Sequence, residues 1–427
     1  MPVNLPPLAP PRLRNDCFAL PAGIDWTPVD TALGLLRANL APVVGTEELG
    51  VSGALGRVLS QDAAARRSNP PAANSAVDGY GFAHAATGEG PQTLPLVEGR
   101  AAAGVPFTGR VPKGMAIRIL TGAILPEGVD TVVLEEDTAS DGHRVAFHGP
   151  VKVRSNTRKA GEDVTAGDVA LPAGHRLRPP DLALLSAVGA ARVSVFRPLR
   201  MGVLSTGDEI VPDAGEAVLE AGRIYDANRP MLLAMARRWN HVPVDLGQVG
   251  DDRAALAARL DRGAAEADVI FTSGGASAGD EDHVSALLRE AGTMHGWRIA
   301  VKPGRPLALG LWRGVPVFGL PGNPVAAFVC TLIFGRPALS VLAGSGWEEP
   351  AGYTVPAAFE KNKLPGRREY LRARLTPEGH AETFRSEGSG RISGLSWATG
   401  LVELADGARE VAPGDPVRFL PYGSFGL

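Results

Sequence analysis

Cysteine is nearly missing from this sequence: its 427 residues include two, Cys17 and Cys330. They lie far apart without Cys or His partners at ligand spacing. That argues against a disulfide framework or a structural zinc site and fits a reducing, cytoplasmic setting. Cys330 falls in an apolar run and reads as a small core residue. An excess of positive charge is also lacking, because 43 Lys and Arg stand against 46 Asp and Glu, a formal net charge of −3. A uniform basic footprint for nucleic acid is therefore excluded, while a local basic pocket for a small anion is not. No segment runs to about 18 apolar residues without a polar interruption, so no membrane span is expected. The opening MPVNLPPLAPPRLRND is rich in proline and has no apolar stretch of signal-peptide length.

What is present is ordinary in bulk and unusual in punctuation. Hydrophobic residues make up 44% and charged residues 21%, values typical of globular proteins, and the length admits about two to four domains. The 53 glycines and 36 prolines are spread along the chain and imply many turns between short elements.

Residues 1–25 read as an extended, proline-rich leader, and 26–45 as an N-terminal helix packing with an α/β domain. In that helix Thr27 is expected to cap, Pro28 to take the first helical position, and Val29, Ala32, Leu33, Leu36 and Leu40 to share one face. Short β-rich runs such as MAIRIL and DTVVLEED follow, separated by Gly and Pro turns. They divide into a linker-type β subdomain (46–72 and 160–198) and a β-rich domain (73–159). From 199 to 347 strands and helices alternate: LRMGVLS, NRPMLLAMARRW, HVPVDLGQV, DDRAALAARLDRGAAEA, ADVIFTS, DHVSALLREAG, WRIAVKP, VPVFGLP and NPVAAFVCTLIF. Such alternation specifies crossover units and a largely parallel sheet with helices on both faces. After that the helical period vanishes, and 348–427 reads as a small C-terminal β domain. The fold class expected is thus multi-domain α/β plus β.

Ligands of a parallel α/β sheet gather at the carboxyl ends of its strands. Four loops there have unusual composition: STGDE, SGGASAGDED, VKPGRP and GLPGNP. Small residues let backbone N–H groups approach an anion, and a following helix start adds partial positive charge. Lys302 and Arg305 flank a Pro-Gly turn and can present two cations to one oxyanion, to which Ser277 can add a hydrogen bond. Glu209, Asp280 and Asp282 form an oxygen-rich rim suited to Mg²⁺, which takes carboxylates together with substrate phosphates. Each loop alone also has a plain conformational reading. Asp282 equally caps the next helix, Asn323-Pro324 starts one, and Lys302 is an ordinary surface charge. Asp78 and Thr121 likewise sit in Gly-flanked turns where turn chemistry suffices.

Together the motifs NSAVDGYGF, RILTGA, GED, STGDE, SGGASAGDED, VKPGRP and GLPGNPV, in that order, resemble the molybdopterin molybdenumtransferases, the MoeA family that includes the E domain of gephyrin. The resemblance runs from about residue 26 to the C-terminus. It implies an elongated homodimer of four-part protomers with a molybdopterin-binding α/β domain. It implies an enzyme of molybdenum cofactor biosynthesis that takes adenylylated molybdopterin and molybdate, releases AMP with a divalent cation, and leaves molybdenum on the dithiolene. Molybdopterin adenylyltransferase, and molybdoenzymes or cofactor carriers, are the implied partners. By motif position Ser277, Asp282, Lys302 and Arg305 surround molybdate or the dithiolene, with Pro321 and Pro324 of GLPGNPV beside them. Glu209, Asp163 and Asp251 match acidic positions serving catalysis or substrate placement. Asp78 and Thr121 match positions contributed across the dimer, and Arg367 and Ser389 anion-binding positions of the last domain. Val77, Gly81, Ala276, Ala278 and Arg305 depart from the commonest family residues without removing a charge. The readings left beside this one are a molybdopterin adenylyltransferase and a non-catalytic pterin-binding or scaffold protein.

Overall fold

The computed structural model describes residues 26–212, 220–274, 283–291, 295–304 and 306–427. Two compact units emerge: Pro42–Pro198 with Leu342–Gly346, and the remainder, Leu199–Val341 and Trp347–Leu427 together with the residues up to Ala41.

The second of these contains the α/β domain. Helix α1 (Val29–Asn39) precedes it. Its elements are β1 (Arg200–Thr206), α2 (Asn228–Arg238), β2 (Val242–Val249), α3 (Arg253–Glu266), β3 (Val269–Ser273), α4 (His283–Glu290), β4 (His295–Arg298), β5 (Pro306–Trp312) and β6 (Val315–Leu320). Helix α5 (Pro324–Leu342) completes it. The sheet runs in the order β2-β1-β3-β6-β5-β4. Its first four strands are parallel, as the alternation of elements predicts, and β5 runs antiparallel to both its neighbours, β6 and β4. Strand β3, VIFTS, is buried along its whole length, which is what a central parallel strand covered on both faces requires. Leu204, Leu246, Leu256, Leu260, Ile270, Leu288 and Val317 form the core on one face. Each such side chain removed from water contributes about 1.5–3 kcal/mol.

Three local expectations change. Thr27 does not cap α1: Pro28 is the N-cap and no side chain bonds the first turn. Thr27 instead bonds the backbone of Arg298 and Ala300, while Val29, Ala32 and Leu36 are buried as the periodicity predicts. The run WRIAVKP is not one strand, because β4 ends at Arg298 and Val301–Lys302 joins a different sheet. Strand β5, which opens on proline and has no place in the expected alternation, lies between β6 and β4.

Helix α5 begins at Asn323-Pro324, as expected, with proline in the first turn. Among the described residues it alone is long and apolar enough to cross a membrane, but 89% of that stretch is buried in the protein. It is the core helix of the domain. Cys330 lies within it at 1% exposure, where burial pushes the thiol up to about 12.

The C-terminal domain is a sheet in the order Val301–Lys302, Arg368–Leu375, Gly400–Leu404, Pro416–Pro421, Tyr353–Pro356. Its core gathers Val355, Leu371, Val402, Leu404 and Phe419. The α/β domain thus lends it an edge strand.

The other unit holds a sheet in the order Thr131–Leu134, Gly79–Phe82, Ala116–Ile119, Gly90–Ala101, Arg144–Gly149, Ala139–Ser140. Phe82 stacks on Phe147 in its core at 5.0 Å. Elsewhere in the unit Thr46–Gly50 pairs with Arg192–Phe196. The helix Pro179–Ala187, started by Pro179 and an Arg178–Asp181 capping box, packs Leu185 beside Leu59, Leu177 and Val195.

Candidate active site

The carboxyl ends of β1, β2, β3 and β6 lie along one edge and are tied into a single platform. Gly207 N–H donates to the Val249 carbonyl at 3.1 Å. The Gln248 amide returns a bond to the Gly207 carbonyl at 2.8 Å, joining the loops after β1 and β2. Gly274 N–H donates to the Leu320 carbonyl at 3.2 Å. Asn228, at the start of α2, donates to Ser273 Oγ at 2.6 Å and to the Gly322 carbonyl at 2.7 Å. One side chain therefore holds the end of β3 to the turn after β6. Gly274 needs its identity: φ is +95°, and a methyl there would stand 2.7 Å from the Thr206 carbonyl oxygen.

Two of the acidic candidates sit on this platform. Glu209 is exposed and its carboxylate folds back over Gly207, where a methyl would come within 2.4 Å of Oε2. Asp251 is exposed after β2, its backbone N–H held by Asp208 Oδ1 at 3.0 Å. The neighbouring Asp252 is spent on structure, capping α3 through Ala255 N–H at 2.7 Å.

The cationic half gathers at the start of α5. Gly304 packs so tightly that a methyl there would stand 2.9 Å from Cys330 Sγ and 3.8 Å from Pro321 Cγ, which sets the Lys302-Pro303-Gly304 turn against α5 and the turn after β6. Val325 N–H, in the first turn of α5, donates to the Ser389 carbonyl at 3.2 Å. Lys302, Pro321, Pro324 and Ser389 thus come together, with Pro321 buried and Pro324 half-buried. Arg367 is half-buried immediately before the strand Arg368–Leu375.

Lys302 is not solitary. The register of the shared sheet sets it opposite Glu369, with Nζ 3.5 Å from Glu369 Oε1 and 2.7 Å from Glu387 Oε2. Lys361 closes the ring, 3.1 Å from Glu369 Oε2 and in contact with Glu387 Oε1. Burial opposes the Lys361 charge, but Glu387 and Glu369 outweigh it and raise the ammonium above its ordinary value. Lys302, Lys361 and Glu387 of this quartet line a cavity of about 200 Å³ with Pro303, Val325 and Phe384. Arg372, also on its wall, is 4% exposed and donates to the carbonyls of Arg391 at 2.5 Å, Ser386 at 2.5 Å and Gly388 at 3.2 Å. It pins the loop carrying Glu387 and Ser389. Sequence reading missed Lys361, Glu369, Arg372 and Glu387. Alternation in REYLRARL is the one signal for the inward turn of Glu369, Leu371 and Ala373, and nothing local pairs Glu369 with Lys302.

Asp78, Thr121 and Asp163 belong to the other unit. Asp78 Oδ1 accepts from Thr121 N–H at 2.6 Å and Thr121 Oγ1 at 2.7 Å. Those two bonds hold the Asp78 carboxyl below the usual carboxylate range. Both residues are exposed, so the pair presents a fixed, ionised carboxylate to solvent. Asp163 Oδ2 accepts from the Asn69 amide at 2.9 Å. Ser277, Asp280, Asp282 and Arg305 lie outside the described residues. No group of three metal-ligating side chains forms among the described residues. The donors they do offer at this edge, Glu209 and Asp251, are carboxylate oxygens, the chemistry of a hard cation such as Mg²⁺.

Comparison with known proteins finds one family along most of the chain. Residues 27–189 match the MoeA N-terminal region (domain I and II). Residues 202–341 match the probable molybdopterin binding domain, and 354–422 the MoeA C-terminal region (domain IV). The molybdopterin molybdenumtransferase of Haemophilus influenzae is 34% identical over 401 residues, 92% of this chain and 98% of that protein. Molybdopterin molybdenumtransferase 2 of Mycobacterium tuberculosis is 34% identical over 378 residues, 86% of this chain and 92% of its own. A crystal structure of the molybdopterin biosynthesis MoeA protein of Pyrococcus horikoshii superposes with a TM-score of 0.81 at 27% identity, covering 93% of this chain and 100% of that one. The chain belongs to the MoeA family of molybdopterin molybdenumtransferases, enzymes of molybdenum cofactor biosynthesis.

Proposed function

We propose that this molybdenumtransferase takes molybdenum from molybdate, uses adenylylated molybdopterin as its acceptor, and releases AMP. The observation that carries the reading is the meeting of Lys302, Pro321, Pro324 and Ser389 at the start of α5, on the sheet edge where Glu209 and Asp251 also end their strands. A lysine-lined pocket on the same sheet edge as exposed carboxylates suits an oxyanion next to a phosphoanhydride.

Lys302, with Arg305 and Ser277, holds molybdate, and Arg367 and Ser389 complete the pocket from the C-terminal domain. Glu209 and Asp251 orient the pterin phosphates, and Asp280, Asp282 and Glu209 are the residues that would hold Mg²⁺. Bound there, the ion would spread the negative charge that builds up on the phosphoanhydride. No serine or cysteine nucleophile with an adjacent base occurs among the described site residues, so the protein acts by placement and electrostatics. The chain works as a homodimer in the cytoplasm, with Asp78 and Thr121 of one subunit serving the partner's site, between the adenylyltransferase that supplies its substrate and the molybdoenzymes or carriers that take its product.

The test is incubation of the purified chain with adenylylated molybdopterin, molybdate and Mg²⁺. AMP release that rises with molybdate is expected, and release indifferent to molybdate overturns the reading. Mixing Asp78→Ala with Asp282→Ala chains restores activity if the site is shared between subunits, and restores none if it is not.

A further inference from the structure

We infer that Glu387 is an internal stand-in for the oxyanion: its carboxylate spans the ammonium groups of Lys302 and Lys361 and must be displaced before molybdate binds, which makes it a specificity-determining residue. The inference rests on the proposed role of Lys302 in holding molybdate.

Three observations carry it. First, the two Glu387 oxygens are divided between the lysines, Oε2 to Lys302 at 2.7 Å and Oε1 to Lys361, as two oxygens of a bound oxyanion would be. Second, the quartet is uneven. Lys302, Lys361 and Glu369 have side chains 13%, 10% and 8% exposed, against 43% for Glu387. Glu369 is fixed on a strand across from Lys302, so Glu387 is the member that can turn to solvent. Third, Arg372 grips the backbone of its loop on both sides of Glu387, at Ser386 and Gly388. The side chain can therefore leave while the loop stays. Burial raises the Glu387 carboxyl, but hydrogen bonds from Lys302 and Lys361 outweigh it and hold the group below its ordinary value. It is an ionised occupant at neutral pH.

The consequence is discrimination by charge. With Glu387 in place, two lysines face two glutamates and the charges of the quartet cancel, while Arg372 on the wall is taken up by backbone carbonyls. With Glu387 turned out, the quartet is left with one net positive charge. A monoanion entering then gains little more than Glu387 already supplied, whereas a dianion with several oxygens gains more.

Molybdate binding to the full chain, followed by titration calorimetry, separates the possibilities. Glu387→Gln keeps the size of the side chain and removes the competing charge. It is expected to tighten molybdate binding about tenfold, within the range of effects seen for close charge pairs. Acetate is expected to compete with molybdate in that variant and not in the parent, since a mobile carboxylate can then displace the uncharged amide from the lysines. Glu387→Asp, too short to span both lysines, should fall between. Unchanged or weaker molybdate binding in Glu387→Gln, with acetate silent, overturns the inference. Lys302→Ala keeps that failure distinct from failure of the pocket. Binding as tight as the parent's defeats the anion pocket itself, and the inference with it. Lost binding supports the pocket, and the glutamine variant then decides whether Glu387 competes for it.

Discussion

Asp78 is exposed and takes both its hydrogen bonds from one neighbour, Thr121. Lys302 is nearly buried and takes its partners from strands and loops of another domain. The first arrangement needs only two turns brought side by side in one sheet, and leaves the charge open to solvent. The second places two cations and two anions in a small volume, where Lys302, Lys361 and Glu369, 13% exposed or less, would each cost several kcal/mol if left unpaired. A ready charge at the surface needs little to hold it, whereas a charge kept in a cavity needs partners that neutralise it.

The sharpest way to break this contrast is Lys302→Ala. Loss of the cation should lower AMP release about a hundredfold or more, the scale of removing one preorganised electrostatic group; retention of more than a tenth of the activity would place the oxyanion elsewhere. Next comes Arg372→Ala, which leaves the carbonyls of Ser386, Gly388 and Arg391 without a buried donor. It should destabilise the folded protein by about 3 kcal/mol in chemical denaturation. A loss under about 1 kcal/mol would show that the loop is held by other contacts.

Smaller effects follow from pH. The Glu387 carboxyl lies below its ordinary value of 4.5, so its contribution is present above that pH and lost as pH falls through the depressed folded value. The Lys361 ammonium lies above its ordinary value of 10.5, so its contribution is complete below that pH and lost as pH rises through the elevated one. Melting temperature of the parent should therefore fall at both extremes, and a Glu387→Gln, Lys361→Met double variant should show a flatter profile. An identical profile in the two proteins would mean that the quartet adds nothing. The smallest effect on stability belongs to Asp78→Asn, which preserves an acceptor for Thr121. The melting curve should not move, while AMP release falls because the charge is gone; a shifted melt with intact activity would reverse the comparison.

Much of the α/β domain is legible in the sequence because its signals are local. LRMGVLS, ADVIFTS and VPVFGLP are short apolar runs closed by glycine, serine or proline, and the helical period between them reappears in Leu256, Leu260 and Leu288. Asn323-Pro324 marks the start of α5 by the same kind of local rule. The departures share a cause. Thr27 loses its capping role because its backbone is engaged by residues far along the chain, and WRIAVKP divides because its second half finds a partner in the C-terminal domain. Asn228, which holds β3 to the turn after β6, looks in the sequence like an ordinary residue at a helix start. At the site, loop composition identifies the sheet edge, Glu209 and Lys302, but the anions that face Lys302 stay hidden.

The order of the motifs and the change from β-rich runs to alternating strands and helices were determined by the sequence alone, since periodicity and turn chemistry act over a few residues. Which charges meet was decided only in three dimensions. Glu369 stands across from Lys302 although 67 residues separate them, because strand register is chosen by the packing of whole domains and leaves no trace in either segment. The neutral quartet is a product of tertiary structure.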